Sequence, residues 1–160
     1  MSRVISVNPT SGVERELGDV ETTPAEVVAS AQRAALAARE FASRPLAWRA
    51  GLLRAMADNL EEDDQRLVDV AMDETALTRG RLDGELRRTA FQLRFFAAVV
   101  LDGAFLGVSI DHAGDSPMGP LPDLRRMRVP LGPVAVFGSS NFPFAFSVPG
   151  GDTASALAAG

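Results

Sequence analysis

The sequence predicts an α/β chain: a β-hairpin, an outer layer of four helices, and one strand–helix unit of a parallel, doubly wound sheet. Three observations predict it. Two short runs with apolar positions flank a segment dense in turn formers, residues 8–12. Four successive stretches then place apolar residues at helical spacing. Finally, residues 134–138 form a continuous apolar run, followed by small residues and a segment of helical composition.

The first element is the hairpin. Residues 3–7 alternate around Val4 and Ile5, Asn8-Pro9-Thr10-Ser11-Gly12 turns the chain, and residues 13–17 return it. Thr23-Pro24-Ala25-Glu26 starts a helix with a capping hydroxyl, a proline at the first helical position and a glutamate three residues after the cap. Val27, Val28, Ala31, Ala34, Ala35, Ala38 and Phe41 give that helix one apolar stripe, and Pro45 ends it. A second helix over residues 46–60 turns Trp48, Leu52, Leu53, Met56, Ala57 and Leu60 inward. The acidic run Glu61 to Asp64 suits the first turn of a third helix, carried inward by Leu67, Val68, Val70 and Ala71. Residues 82–101 make a fourth, with Leu86, Ala90, Leu93, Phe96, Ala97 and Val100 on one face.

Composition then changes. Residues 111–123, rich in Gly, Pro, Asp and Ser, read as a loop, and residues 124–129 as a strand with arginines on its open side. Arg125 and Arg126 there either protect a solvated edge or contact another subunit. After a turn at 130–133, residues 134–138 read as a strand buried on both faces. Residues 143–159 read as a helix opening at Pro143, interrupted at Pro149 and Gly150-Gly151, with Asp152 recapping it. Gly160 suits a helix end, after which an α/β unit requires another strand, so the pattern is that of a chain cut short.

Composition excludes several functions. The 160 residues, 46% of them hydrophobic, can fill one modest core. A net charge of −5 lacks the basic surface of a nucleic-acid binder and gives no polybasic membrane anchor. There is no cysteine, so no disulfide, thiolate ligand or cysteine nucleophile exists within the chain. With a single histidine, His112 in a polar loop, a histidine-based metal cluster is excluded as well. No apolar run approaches the ~20 residues of a membrane span, and no leader segment is evident, which makes a cytoplasmic protein the expectation.

The chemistry concentrates in residues 130–160, PLGPVAVFGSSNFPFAFSVPGGDTASALAAG. A strand-to-helix turn directs backbone N–H groups and the positive helix end to the carboxyl edge of a sheet. Gly138, Ser139 and Ser140 allow a ligand close to the main chain there, and Asn141 can present its amide as a donor. By local sequence alone, Asn141 reads first as a helix cap.

This stretch resembles the aldehyde dehydrogenase superfamily, in which a strand leads into an Asn-Phe-Pro motif, here Asn141-Phe142-Pro143. It is most similar to the branch containing 2-oxoglutarate semialdehyde dehydrogenases and some NADP-dependent fatty-aldehyde dehydrogenases. GELRRTAFQLRFFA, residues 84–97, and PDLRRMRVPLGP support that branch, and the resemblance covers nearly all the chain.

The resemblance implies the N-terminal part of the aldehyde dehydrogenase fold, with the first strand and helix of a Rossmann-like nucleotide-binding domain. It divides the chain into a hairpin (1–22), a helical layer (23–106), a loop with an oligomerisation strand (107–132) and the first strand–helix unit (133–160). These together make one incomplete, cofactor-binding domain without the catalytic domain. It implies oxidation of an aldehyde, 2-oxoglutarate semialdehyde or a related one, to a carboxylic acid, with hydride passed to NADP or NAD. A cysteine thiolate attacks the aldehyde, and Asn141 matches the asparagine that stabilises the resulting oxyanion. Phe137, Gly138, Ser139, Ser140 and Asn141 match the loop against which the cofactor lies. Phe142, Ala145, Phe146 and Pro149 match positions lining the aldehyde tunnel, Pro149 standing where relatives carry a small residue. Arg88 is either a solvated arginine or a bidentate partner for the distal carboxylate of an oxo-acid aldehyde. The full enzyme is expected as a homo-oligomer, dimer or tetramer, with no nucleic-acid or membrane partner and no metal.

The family's nucleophilic cysteine and general-base glutamate lie beyond the positions matched here, so these residues alone are not expected to turn over. The alternatives are a non-catalytic module that assembles with partner chains, and a relative with altered chemistry such as an acyl-CoA-forming reductase.

Overall fold

The computed structural model describes residues 3–139 and 141–160. The amino-terminal hairpin pairs β1 (Arg3–Val7) with β2 (Glu14–Val20), antiparallel, Val7 opposite Glu14. Its turn follows from Asn8, whose side-chain oxygen accepts the N–H groups of Thr10 and Ser11. Next comes α1 (Pro24–Ser43), opened by the expected capping box: Glu26 N–H donates to the Thr23 hydroxyl oxygen, and Thr23 N–H to the Glu26 carboxylate. Those bonds hold the Glu26 carboxyl below its usual range.

The core lies between α2 (Leu46–Glu62) and α4 (Arg79–Asp102), with α3 (Asp64–Thr75) and α5 (Gly151–Ala159) packed on α4. Ala50, Leu53 and Ala57 of α2 meet Ala90, Leu93, Ala97 and Val100 of α4, and Ala154 and Ala158 of α5 close the cluster. Alanines at the crossing let the helix axes approach closely around the leucines. A second cluster joins Val68 and Ala71 of α3 to Leu82, Leu86 and Phe144. Outside the core, Arg94 of α4 bridges Asp58 and Glu61 of α2 at 2.5 and 2.6 Å, which holds the Glu61 carboxyl below its usual range.

Several expectations change. Glu61 and Glu62 close α2 rather than open α3, and only Asp64 lies in the first turn of α3; Arg94 draws Glu61 to α2. Trp48 does not point fully inward: it is 44% exposed, edge-on to Phe41 with the Arg44 guanidinium over its ring. The apolar stripe of α1 buries no residue, because nothing among the described residues packs over Val27 or Val28. The expected loop 111–123 is instead part of a narrow antiparallel ribbon. In it β3 (Ser109–Asp111) pairs with β6 (Leu124–Arg126), and β4 (Gly114–Ser116) with β5 (Gly119–Leu121). His112 stands on the ribbon, 3.7 Å from Asp123.

Residues 134–138 form no strand ladder among the described residues, and Val134 and Phe137 are 61% and 88% exposed. A lone extended segment has nowhere to direct its N–H and C=O groups except water, so the strand needs neighbours that these residues do not contribute. The mixed α/β class holds, carried by the hairpin, the ribbon and the helices. No helix among the described residues is long and apolar enough to cross a membrane. Nor do they contain a cluster of three or more potential metal ligands.

Candidate functional site

No helix opens at Pro143. Residues 141–150 run as consecutive turns, and α5 begins only at Gly151, with Gly150 as its cap and no side-chain cap bond from Asp152. Pro149 has no N–H to offer the Ala145 carbonyl, which accepts from Gly151 N–H at 3.0 Å instead. The turns close on themselves: Phe142 N–H donates to the Ser139 carbonyl, Phe146 N–H to the Phe142 carbonyl, and Ser139 N–H to the Phe146 carbonyl at 2.5 Å. The chain passes itself so closely at Gly138 that a Cβ there would sit 3.1 Å from Ser147 Cα. Glycine at 138 thus serves the packing of the turn.

Asn141 lies exposed at the outer end of these turns. The Ser139 hydroxyl donates to Asn141 Oδ1. That bond occupies the acceptor end of the amide and leaves the NH₂ donors without a partner among the described residues. The reading of Asn141 as a helix cap has no support, since no helix starts beside it.

Helix α4 holds the turns from below. Arg81, Glu85, Arg88 and Gln92 recur at intervals of four, three and four, which aligns them as one ridge. The Arg81 guanidinium donates to the Asn141 carbonyl oxygen at 2.7 Å and lies 5.2 Å from the Phe142 ring centroid. Glu85 Oε1 accepts the N–H groups of Phe144 and Ala145 at 2.8 and 3.0 Å. Arg88 stacks over the Phe146 ring at 5.4 Å. Phe142 and Phe146 meet edge-to-face, centroids 5.1 Å apart. A buried charge–amide bond contributes about 1.5–3 kcal/mol.

The expected site residues are thus only partly brought together. Phe142, Phe146, Asn141 and Arg88 share one surface beside α4. Ala145 is fully buried, while Pro149 is half-buried at the break before α5. Gly138 and Ser139 border a cavity of about 580 Å³ that the hairpin closes with Ile5, Val7 and Leu17. Phe137 borders a different groove, of about 480 Å³, with Val136 and with Asp152 and Ser155 of α5. Ser140, the remaining expected cofactor contact, lies outside the described residues.

Sequence reasoning missed Glu85 and Arg81. A signal existed in the 81–85–88–92 spacing, but a polar ridge on a helix normally faces water. Nothing in the spacing says that a turn 59 residues away covers Glu85.

The chain is 53% identical over 138 residues to "Alpha-ketoglutaric semialdehyde dehydrogenase 2" of Azospirillum brasilense, covering 82% of this chain and 26% of that protein. It is 44% identical over 142 residues to "Alpha-ketoglutaric semialdehyde dehydrogenase" of Acinetobacter baylyi, covering 88% and 27%. The chain therefore spans about a quarter of the length of these curated relatives. Among solved structures, HpcC from Thermus thermophilus superposes with a TM-score of 0.77 at 21% identity, over 99% of this chain and 29% of that one, a likeness of fold. The sequence model of the aldehyde dehydrogenase family matches residues 2–160, and the chain belongs to that family.

Proposed function

We propose that these residues supply the oxyanion donor and one wall of the cofactor cleft of an NAD- or NADP-dependent aldehyde dehydrogenase. Its substrate is 2-oxoglutarate semialdehyde or a related aldehyde, oxidised to the carboxylic acid. One observation carries the reading: the Asn141 amide has its oxygen engaged by Ser139 and its NH₂ free among the described residues, on a turn braced by α4. A donor held in advance of the reaction costs no reorganisation when charge develops on the aldehyde oxygen, and is worth ~3 kcal/mol in the transition state.

The chain has no cysteine, so the attacking thiolate comes from residues outside it. As the C–S bond forms, the carbonyl π pair moves onto oxygen, where the Asn141 NH₂ would receive it. Loss of hydride from the same carbon, as the oxygen pair re-forms the C=O, leaves a thioester, and water then releases the acid and the thiol. The nicotinamide dinucleotide, when bound, supplies the hydride acceptor. The groove beside Phe137 fits a flat, partly apolar ring: an 88% exposed phenyl, an apolar main-chain run and the first turn of α5 border it. Phe142 and Phe146 would wall the aldehyde path. Arg88, its guanidinium on the Phe146 ring, would meet a distal carboxylate. The names of the relatives at 53% and 44% identity support the oxo-acid aldehyde.

We keep the division at 22, 106 and 132; the gaps between Val20 and Pro24 and between Leu106 and Ser109 support its first two boundaries. The exposed ribbon edge, with Arg125 and Arg126, is the surface we assign to subunit contact in a cytoplasmic dimer or tetramer. A non-catalytic module remains the second reading, favoured by the absence of cysteine.

The test follows nicotinamide reduction with 2-oxoglutarate semialdehyde, using the full-length enzyme and residues 1–160 in parallel. The expected result is acid and reduced cofactor in equal amounts from the full-length enzyme and none from residues 1–160. A full-length protein that binds no dinucleotide and oxidises no aldehyde overturns the reading in favour of the module.

A further inference from the structure

We infer that Glu85 is a positioning residue: its buried carboxylate fixes the turn that carries Asn141, and so sets where the oxyanion donor stands. The inference rests on the role proposed for Asn141 and adds a residue that the sequence reading left unassigned.

A carboxylate is rarely buried without a cation against it. Glu85 is 6% exposed, yet it forms no salt bridge among the described residues; its hydrogen-bond partners are the two successive amides of Phe144 and Ala145. Arg81 and Arg88 lie one turn away on either side along the same ridge. Both guanidiniums are themselves engaged with the turn, Arg81 on the Asn141 carbonyl and Arg88 on the Phe146 ring. These three side chains therefore grip the segment in succession, and of the three only Glu85 is buried.

The grip reaches Asn141 through a short path. Phe144 is three residues from Asn141, and the intervening chain is closed by the bonds from Phe142 N–H to Ser139 and from Phe146 N–H to Phe142. Phe144 and Ala145, 6% and 0% exposed, anchor the inner side of the turn while Asn141 stands on the outer side. Withdrawing the Glu85 acceptor frees two buried N–H groups, and the turn must move to satisfy them. A displacement of ~1 Å at a positioning group is enough to cost ~100-fold in rate.

The test compares Glu85→Leu, Glu85→Asp and Glu85→Gln with Asn141→Ala and the Glu85→Leu/Asn141→Ala double variant in the full-length enzyme. It reads kcat, KM and amide hydrogen exchange of the peptide spanning residues 142–148. Glu85→Leu should lower kcat ~10- to 100-fold with KM changed by less than ~3-fold, and should speed exchange at Phe144 and Ala145. Glu85→Gln keeps an acceptor oxygen and should restore kcat to within ~3-fold of the parent. Glu85→Asp withdraws the acceptor by one methylene and should fall between the two; it carries the test if the leucine variant does not fold. Because Glu85 acts through Asn141, the double variant should be no slower than Asn141→Ala alone. A folded Glu85→Leu or Glu85→Asp enzyme with parental kcat and parental exchange overturns the inference, as does a double variant whose losses multiply. If Asn141→Ala itself keeps the parental kcat, the role proposed for Asn141 fails instead, and the inference falls with it.

Discussion

The Arg81 guanidinium donates to the main-chain carbonyl of Asn141 at 2.7 Å while lying 5.2 Å from the centroid of the Phe142 ring. One side chain thus holds two consecutive residues of the turn, one by a hydrogen bond and the other by cation–π attraction. Helix α4 supplies the base on which the turn rests.

Arg81 is exposed, so its bond competes with water and contributes little to global stability. Arg81→Ala should change the unfolding free energy by less than about 1 kcal/mol. In the full-length enzyme it should lower kcat ~3- to 10-fold by loosening the turn. Urea unfolding and steady-state kinetics on the same preparation check both halves. Arg81→Lys should rescue only part of the loss, because an ammonium does not reproduce the planar stacking on Phe142.

Ala76 closes α3 at φ 56°, the left-handed region, and its N–H donates to the Met72 carbonyl at 3.0 Å. A Cβ there crowds the following carbonyl oxygen, so Ala76→Gly should stabilise the protein by about 1 kcal/mol. A higher urea midpoint with an unchanged denaturant slope is the expected outcome.

Two adjacent glycines should respond differently to alanine. At Gly150 a Cβ would lie 2.3 Å from the Ala145 carbonyl oxygen, in main chain that cannot yield without breaking the Ala145–Gly151 bond. At Gly151 it would meet the Gln92 amide at 2.8 Å, the end of a side chain that can rotate away. Gly150→Ala should therefore destabilise by about 1–3 kcal/mol, and Gly151→Ala by clearly less. Thermal unfolding of the two variants compares them directly.

What was legible in the sequence divides along physical lines. The capping box at Thr23 and Glu26, the core positions of α2 and α4, and the break before α5 depend on local chemistry or on one helix meeting its neighbour. The capping box and the α4 positions Leu86, Ala90, Leu93, Ala97 and Val100 are found as expected, whereas of the α2 set only Leu53 and Ala57 are fully buried, and the break at 149–151 precedes α5 with no helix before it. The errors cluster where an element needs a distant partner. Residues 134–138 have the composition of a buried strand and no ladder to join among the described residues, and the stripe of α1 has nothing there packed over Val27 and Val28. Glu61 was misplaced because its partner, Arg94, is 33 residues away.

The candidate site shows the same division. Phe142 and Phe146 meet edge-to-face on the turn that carries Asn141, whereas Gly138 and Phe137 border separate cavities. Glu85 escaped notice because a glutamate within a polar helix ridge is ordinarily solvated. Its burial depends on the turn at 144–145 folding over it.

The most direct test of the central claim is kcat of the full-length Asn141→Ala enzyme with 2-oxoglutarate semialdehyde, measured beside its dissociation constant for the nicotinamide cofactor. An oxyanion donor acts in the transition state, so kcat should fall ~10²- to 10³-fold while the cofactor binds as in the parent. A folded Asn141→Ala enzyme with the parental kcat would contradict the account.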